Sequence, residues 1–571
     1  MKIIDKEAIA EILVEKIKGH NKDEIIALLE IPPPEIEFTY AFPCFKLAKI
    51  EKKSPNLVAS DLEGKFNNIE VFDTVKAIGP YLNLKVNPKY ILETIFEMRE
   101  DYGKIRNIIN EDRIEKKRIV IEYPSPNTNK PLHFGHIRNI LLGKSLSNLL
   151  EYRDHKVFQV NLYNNRGIHI CKSMLAYKKW GNDQEPDKKP DHYVGDYYVK
   201  YSKMAEKDPT IEQEAYDLLR LWEKGDKDTI NLWKKMNNWA LEGFNATFKK
   251  LGISFDKIYY ESDLYLKGKE IILDGLKKGV FEKTEDGAIY AKFDEKYNLP
   301  DKFLIRSDGT TIYITQDIYL AYKKKSDFNY DRSIHVVGDP QIQHFKWLFA
   351  LLEMLGFKED NYHLAYGMID LPSGKMKSRE GTVVDGDDVI EEVENLALIE
   401  VNKRYPDIDE SEKKRRANII GLAAIKFFIL KYNASKGFVF KPDESISFEG
   451  ETGPYIQYCY ARIESILSKS NMEVSSIIKW ELLNHKNELN LINQMIHFPE
   501  IIDSAEETYS IHLIAQYLLA LCQNFNSFYS TCQVISEDKE LEKARLLLIR
   551  CVQIIIKIGL KILGIETLDK M

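Results

Sequence analysis

Cysteine is scarce in this chain: six residues in 571 (Cys44, Cys171, Cys459, Cys522, Cys532, Cys551), with no C-x-x-C pair among them. That excludes a zinc ribbon or a disulfide framework and suits a reducing cytoplasm, with no zinc expected. An excess of positive charge is also missing. The formal net charge is −7, which excludes a uniformly basic nucleic-acid binder, because phosphate contacts supply most non-specific affinity. A nucleic-acid site must therefore be a local patch. Candidates are Lys116-Lys117-Arg118, Lys323-Lys324-Lys325 and Lys413-Lys414-Arg415-Arg416, each of which by itself reads as solvated surface charge. Nor is there a long uncharged apolar run. The greasiest stretch, Leu546 to Ile565, is broken by Arg550, Lys557 and Lys561 near one helical face, so a packed C-terminal helix is expected and a membrane span is not. The first twenty residues mix Asp and Glu with apolar positions, unlike a signal or transit peptide, and read as an amphipathic helix.

What is present fits a large modular protein. Composition is ordinary, 44% hydrophobic and 30% charged, and the length is too great for one core, so three or four domains are expected. Residues 1–112 pass from helical periodicity through Ile31-Pro32-Pro33-Pro34 into alternating segments such as IEFTYAF, a small α+β unit. At Arg118 the pattern changes. RIVIEY is a buried-strand run stopped by Pro124 and Pro126; Leu142, Leu146, Leu149 and Leu150 then give helical spacing, and HKVFQVNLYN is strand-like again. This strand-helix-strand unit predicts a nucleotide-binding α/β domain over 113–445 with a parallel sheet. Its polar, tyrosine-rich stretch at about 180–300 reads as an insertion, after which sheet-like runs resume at TTIYIT and RSIHVVG. From 446 to 571 successive amphipathic helices predict an all-α domain.

The segment between the first strand of the α/β unit and its helix, SPNTNKPLHFGH (125–136), occupies the place where polyphosphates bind, since free N–H groups and the helix dipole favour negative charge there. Gly135 offers a flat surface against which adenine can lie, and His133 and His136 offer donors to phosphate oxygens. A second element, GKMKSREGT (374–382), is a glycine-flanked basic loop, with Lys375, Met376 and Arg379, suited to stabilising a leaving pyrophosphate. A Walker loop is excluded, because Arg138 stands where its first glycine is required before Gly143-Lys144-Ser145.

The paired elements resemble the HIGH and KMSKS motifs of class I aminoacyl-tRNA synthetases. The wording IEYPSPNTNKPLHFGHIRN, with WEKGDKDTINLWKKM, LGISFDKIYYES, IYITQDIYLAY and FEGETGPYIQYCYARI, is similar to arginyl-tRNA synthetases in particular, over nearly the whole chain. The resemblance implies a multidomain α/β architecture: a class I Rossmann-like catalytic domain with an N-terminal α+β add-on domain and a C-terminal α-helical anticodon-binding domain. It implies activation of L-arginine with ATP and Mg²⁺ and transfer to tRNA(Arg), a monomer, and activation that requires bound tRNA. Glu122 and Asp317 match the family's guanidinium-binding acids, Tyr313 its pocket tyrosine, and Asn127 and Gln341 the residues that hold the α-amino end. A guanidinium has five fixed donors and a permanent charge, so carboxylates in a planar arrangement are the fitting partners. Tyr313, in an alternating run, fits a core position equally well.

Two stretches depart from the family pattern. Ser378 replaces the second lysine of the basic loop, and Lys130, just before the tetrad, is the implied substitute. Asn165-Arg166-Gly167-Ile168-His169-Ile170 stands where most members carry Asp-Trp-Gly-x-Gln. In the outer domains, Gly79-Pro80-Tyr81-Leu82-Asn83 matches the tRNA-elbow unit, with Asn83 and Tyr81 as candidate base contacts, although Tyr81 also fits a turn entering a core strand. Tyr455 and Met571 are candidate anticodon contacts, Tyr529 reads as core, and a terminal methionine reads equally as a frayed end. Competing readings are another class I synthetase, a small nucleotidyltransferase with an H-x-G-H motif, and a non-catalytic tRNA-binding paralogue. The paired acids, the helical C-terminus and the retained His133, His136 and Lys375 respectively speak against them.

Overall fold

Strand runs rich in valine and isoleucine, such as Ile119-Val120-Ile121, demand cover on both faces, and the chain meets that demand with a parallel sheet. The computed structural model describes residues 4–33, 36–66, 69–104, 116–370, 385–445, 447 and 450–571. Ahead of the parallel sheet lies a small antiparallel one: β1 (Tyr40–Pro43), β2 (Phe72–Ile78) and β3 (Tyr81–Val86) in the order β1-β3-β2. Gly79, at φ +58°, turns β2 into β3. Helices including Pro55–Phe66 and Pro88–Met98 flank this sheet.

Five parallel strands follow: β4 (Arg118–Glu122), β5 (Lys156–Tyr163), β6 (Lys257–Tyr260) and, beyond the short antiparallel strands β7 (Glu282–Lys283), β8 (Ile289–Ala291) and β9 (Lys302–Ile305), β10 (Arg332–Gly338) and β11 (Asp360–Tyr366). Their order is β11-β10-β4-β5-β6, so the chain moves outward on one side of β4 and later returns to the other. The crevice between the carboxyl ends of β4 and β10 is therefore the topological switch point, where ligands of open α/β sheets bind. The stretch between β5 and β6 folds as four helices, Ile168–Trp180, Pro190–Ala205, Thr210–Glu223 and Lys227–Leu251, around an aromatic core of their own.

One expected strand is a helix. TTIYIT pairs only through an isolated bridge between Thr311 and Ile305, and a helix runs from Tyr313 to Phe328. Its β-branched residues favour a strand locally, but Ile314, Ile318 and Ala321, spaced four and three apart, are buried on one helical face, and that packing overrides the preference.

Five long helices, from Gly453–Lys469 to Lys539–Ile562, complete the chain. The last buries most of its apolar positions, as its charge spacing predicts, and among the described residues no helix is long and apolar enough to cross a membrane. Expectation and structure part on the cores. A single apolar cluster runs from Ile4 through Ile137 to Met571, welding all three regions, with smaller cores beside it. Polar joints reinforce the weld: Tyr40 donates its hydroxyl to Glu500, Tyr102 to the Met495 carbonyl at 3.0 Å, and Arg153 grips Asp503 and Glu506 at 2.8 and 2.7 Å.

Candidate active site

The crevice is built from the end of β4 outward. Glu122 is the last residue of that strand, Asn127 bridges to Asn164 beyond β5, and His133 caps the helix Phe134–Tyr152. The two histidines cap each other. The His133 amide donates to His136 Nδ1 at 3.1 Å, the His136 amide to His133 Nδ1 at 3.3 Å, and the rings stack with centroids 3.7 Å apart. Because each Nδ1 accepts, the proton of each neutral ring sits on Nε2, leaving two outward N–H donors. Burial, then the nearby Lys130 charge, pushes His133 down to about 3; burial, His133 and Lys130 hold His136 well below the usual imidazole range. At neutral pH both are uncharged donors.

The same stack explains Gly135. A Cβ there would lie 2.9 Å from His133 Cε1, so a side chain at 135 would displace the capping ring as well as close the surface expected to face adenine. Lys130 is mostly buried, burial lowers its amine below the usual range, and among the described residues it has no ion pair or hydrogen bond. It is a cation held at hand beside the tetrad. The insertion supports this stretch from behind, since the helix Pro190–Ala205 approaches so closely at Gly195 that a Cβ would meet Pro131 at 2.6 Å.

Lys375, Met376 and Arg379 lie outside the described residues. The residue that follows that segment, Asp385, forms an antiparallel bridge with His133, and the Gly386 amide donates to the Leu132 carbonyl at 2.8 Å. A charged knot anchors this point to the insertion. Lys189 Nζ lies 2.6 Å from Asp387 and 3.0 Å from Asp191, and His192 reaches Asp387 at 3.1 Å and Asp385 at 3.3 Å. Asp191, His192 and Asp387 have metal-ligand spacing, but the Lys189 ammonium already supplies the cation between the two carboxylates. Arg138, one turn into the tetrad helix, is fully buried and forms no salt bridge among the described residues. Its guanidinium donates to the carbonyls of Gly367, Asn433, Ala434 and Lys436 and lies over Phe438, 4.8 Å to the ring centroid.

The expected acids sit at the same edge. Asp317 accepts from His344 Nε2 at 2.7 Å and is about a quarter exposed. Tyr313, one turn earlier on the helix Tyr313–Phe328, is 69% exposed, which removes the core reading. Asn127 is half-buried, and Gln341, in the turn after β10, is exposed. Glu122 is buried and already paired, its Oε2 accepting from Lys324 Nζ at 2.8 Å with His335 Nδ1 at 3.8 Å. Burial acts to raise the Glu122 carboxyl, but the charge of Lys324 and hydrogen bonding from His335 and Lys324 outweigh it and hold the group far below the usual range.

Most members of the charge runs are already paired within the fold. Lys323 pairs with Asp327, Lys325 with Glu359, and Lys324 is sealed against Glu122. Lys413, Arg415 and Arg416 pair with Glu410 and Glu412 on their own helix, and Arg118 caps the carbonyls of Phe328 and Asn329.

Sequence reasoning passed over Lys324, His335, His344 and Glu261. Glu261, 5% exposed, is pushed up to about 7 by burial, with Arg166 pulling it down and Asp317 pushing it further up. Arg166, in the departing NNRGIH stretch, stacks 3.7 Å over Tyr265 and pairs with Glu223 at 2.9 Å. Only Glu261 had a signal, lying inside the family-like run LGISFDKIYYES.

In the outer regions Asn83 is 2% exposed, its amide committed to the carbonyls of Lys76 and Tyr81 within its own hairpin, while Tyr81 packs edge-on against Phe45. Tyr529, read as core, is 42% exposed, and Met571, read alternatively as frayed, is buried. Both line a cavity of about 590 Å³ with Tyr405, Tyr458 and Arg462, whose guanidinium sits between the Tyr458 and Tyr529 rings. Tyr455 stands beside it, its hydroxyl accepting from Asn526 at 2.7 Å.

Comparison with known proteins agrees with these regions. A family described as tRNA synthetases class I (R), catalytic domain, matches residues 104–441. The arginyl tRNA synthetase N terminal domain matches 5–86, and the DALR anticodon binding domain 456–571. The arginine–tRNA ligase of Treponema denticola is 41% identical, covering 95% of this chain and 94% of that protein. That of Bacteroides thetaiotaomicron is 39% identical with both chains covered entirely. Among solved structures, Thermus thermophilus arginyl-tRNA synthetase superimposes with a TM-score of 0.83 at 24% identity, covering 99% of this chain and 100% of that one.

Proposed function

The chain belongs to the arginyl-tRNA synthetases of class I, and from that premise we propose how its residues divide the reaction. The protein is an arginine–tRNA ligase, joining arginine to tRNA at the expense of ATP. The observation that carries the residue assignment is the reciprocal His133–His136 cap at the switch-point edge, one loop beyond Glu122.

In this reading the ATP phosphates lie against the start of the tetrad helix. The Nε2–H groups of His133 and His136 donate to their oxygens, Gly135 keeps the surface open to adenine, and Lys130 supplies the nearby positive charge. Lys375, Met376 and Arg379 are assigned by the sequence pattern to the charge of the leaving pyrophosphate. The arginine carboxylate attacks the α-phosphate in line, pyrophosphate leaves, and no covalent enzyme intermediate is needed, so catalysis is positioning plus charge stabilisation. Mg²⁺ enters with ATP. Buried thiols, such as Cys44 pushed up to about 11 by burial, make poor zinc ligands, and no zinc is assigned.

Asp317 and Glu122 take the guanidinium, Tyr313 packs beside it, and Asn127 and Gln341 take the α-amino end. Lysine is refused because an ammonium cannot engage both acids in one plane. The tRNA is held at its elbow by the Tyr81–Asn83 hairpin and at its anticodon by Tyr455 and Met571, in domains divided near 112 and 445. The inward amide of Asn83 favours Tyr81 for the elbow contact. The enzyme works as a cytoplasmic monomer. Charging of tRNA with radiolabelled arginine, lysine and citrulline tests the reading: arginine alone is expected on tRNA, and lysine charged at a comparable rate refutes the acid pocket.

A further inference from the structure

An acid that selects a cation should not already have one, yet Glu122 does. Lys324 rises from the helix Tyr313–Phe328, seven positions after Asp317 and so on the same face, and its side chain is only 1% exposed. It gives one hydrogen bond to Glu122 Oε2 at 2.8 Å and another to Ser333 at 3.2 Å. Ser333 in turn touches His335 Nε2 at 3.4 Å. Oε1 of Glu122 accepts no hydrogen bond among the described residues and is not among the sealed, unpartnered polar atoms. Among the described residues, one oxygen is held and the other has no partner.

We propose that Lys324 is a positioning residue for arginine selection, holding Glu122 as an oriented anion in the empty pocket so that its free oxygen meets the substrate with no proton to remove first. This rests on the assignment of Glu122 to the guanidinium. Buried carboxyls without a cation take up a proton at neutral pH, and breaking a buried pair leaves its survivor uncompensated. The groups facing Glu122 among the described residues are Lys324 from the helix Tyr313–Phe328, His335 from β10, Tyr330 before it and Tyr259 from β6, with Asp317 acting on His335. His335 is kept below its usual range by burial and by Lys324, and the two tyrosines are pushed up by burial. None of these can replace the ammonium.

The test is steady-state charging of tRNA(Arg) by the full chain, with arginine varied, from about pH 6 to about pH 9. The wild-type KM for arginine is expected to show no ionisation from Glu122. Lys324→Met is expected to raise that KM about tenfold or more at neutral pH, steepening by up to about tenfold per unit as pH falls and closing towards the alkaline end, with kcat within about threefold. Lys324→Arg restores the wild-type profile. A KM for Lys324→Met that parallels wild type at every pH, offset or not, overturns the proposal. Glu122→Gln with an unaltered KM for arginine sinks the Glu122 assignment instead. Should Lys324→Met fail to fold, Glu122→Gln with Lys324→Met removes both charges and is compared with Glu122→Gln alone. Equal KM values support the proposal, and a further large rise in the double variant overturns it.

Discussion

The two ends of the cleft solve opposite problems with opposite electrostatics. At the tetrad the donors are neutral imidazoles, kept so by burial and by a nearby lysine, and oriented by each other. At the other end Glu122, more deeply buried, is kept charged by the internal Lys324. A guanidinium never loses its charge, so the partner that suits it is an anion present before it arrives.

Each arm of this contrast can be broken separately. The largest effect is expected from His136→Ala, which removes one donor and its partner's cap: activation measured by pyrophosphate exchange should fall by about 10²–10³-fold. Unchanged exchange would remove the tetrad from the reaction. Lys130→Ala should cost roughly 10²-fold in the same assay, as for one transition-state donor; a loss confined to KM for tRNA would make it a tRNA contact. Asp317→Asn should act at the other end, raising KM for arginine by about 30-fold while altering KM for ATP by no more than about twofold, since a charge-assisted pair is lost there. Equal rises in both constants would erase the division of labour. The contrast also has a stability signature. His133 titrates near 3 when folded and near 6.5 when unfolded, so its contribution is complete above about pH 6.5 and is lost as pH falls towards 3, at up to about 1.4 kcal/mol per unit. Melting followed by circular dichroism across that window should show the loss, and His133→Gln should lessen it, with His136 supplying the remainder. The smallest effect is expected from trimming Met571, which should raise KM for tRNA by about fivefold, as for one apolar base contact; an unchanged KM would leave that cavity without a ligand.

Much of this was legible in the linear text because it is local. A strand-turn-helix with histidines three apart must place both rings at one helix start, and the charge spacing of the last helix gives its buried face directly. What escaped is what depends on distant partners. Lys324 reads as one of three surface lysines until Glu122, two hundred residues away, is seen beside it. Tyr313 reads as strand because the burial of Ile314, Ile318 and Ala321 is a property of the packed neighbours. Asn83 reads as a free amide until its hairpin closes. Lys375, Met376 and Arg379 remain assigned from the sequence pattern alone.

Arg138 gives the molecule a joint of unusual ionic-strength behaviour. Its charge is balanced by four backbone carbonyls and an aromatic face, so added electrolyte finds no exposed ion pair there to screen. Docking of a polyanionic tRNA weakens steeply as salt rises. The enzyme should therefore release its nucleic acid at concentrations that leave the seam between the tetrad helix and residues 433–436 untouched, and rebind it on dilution.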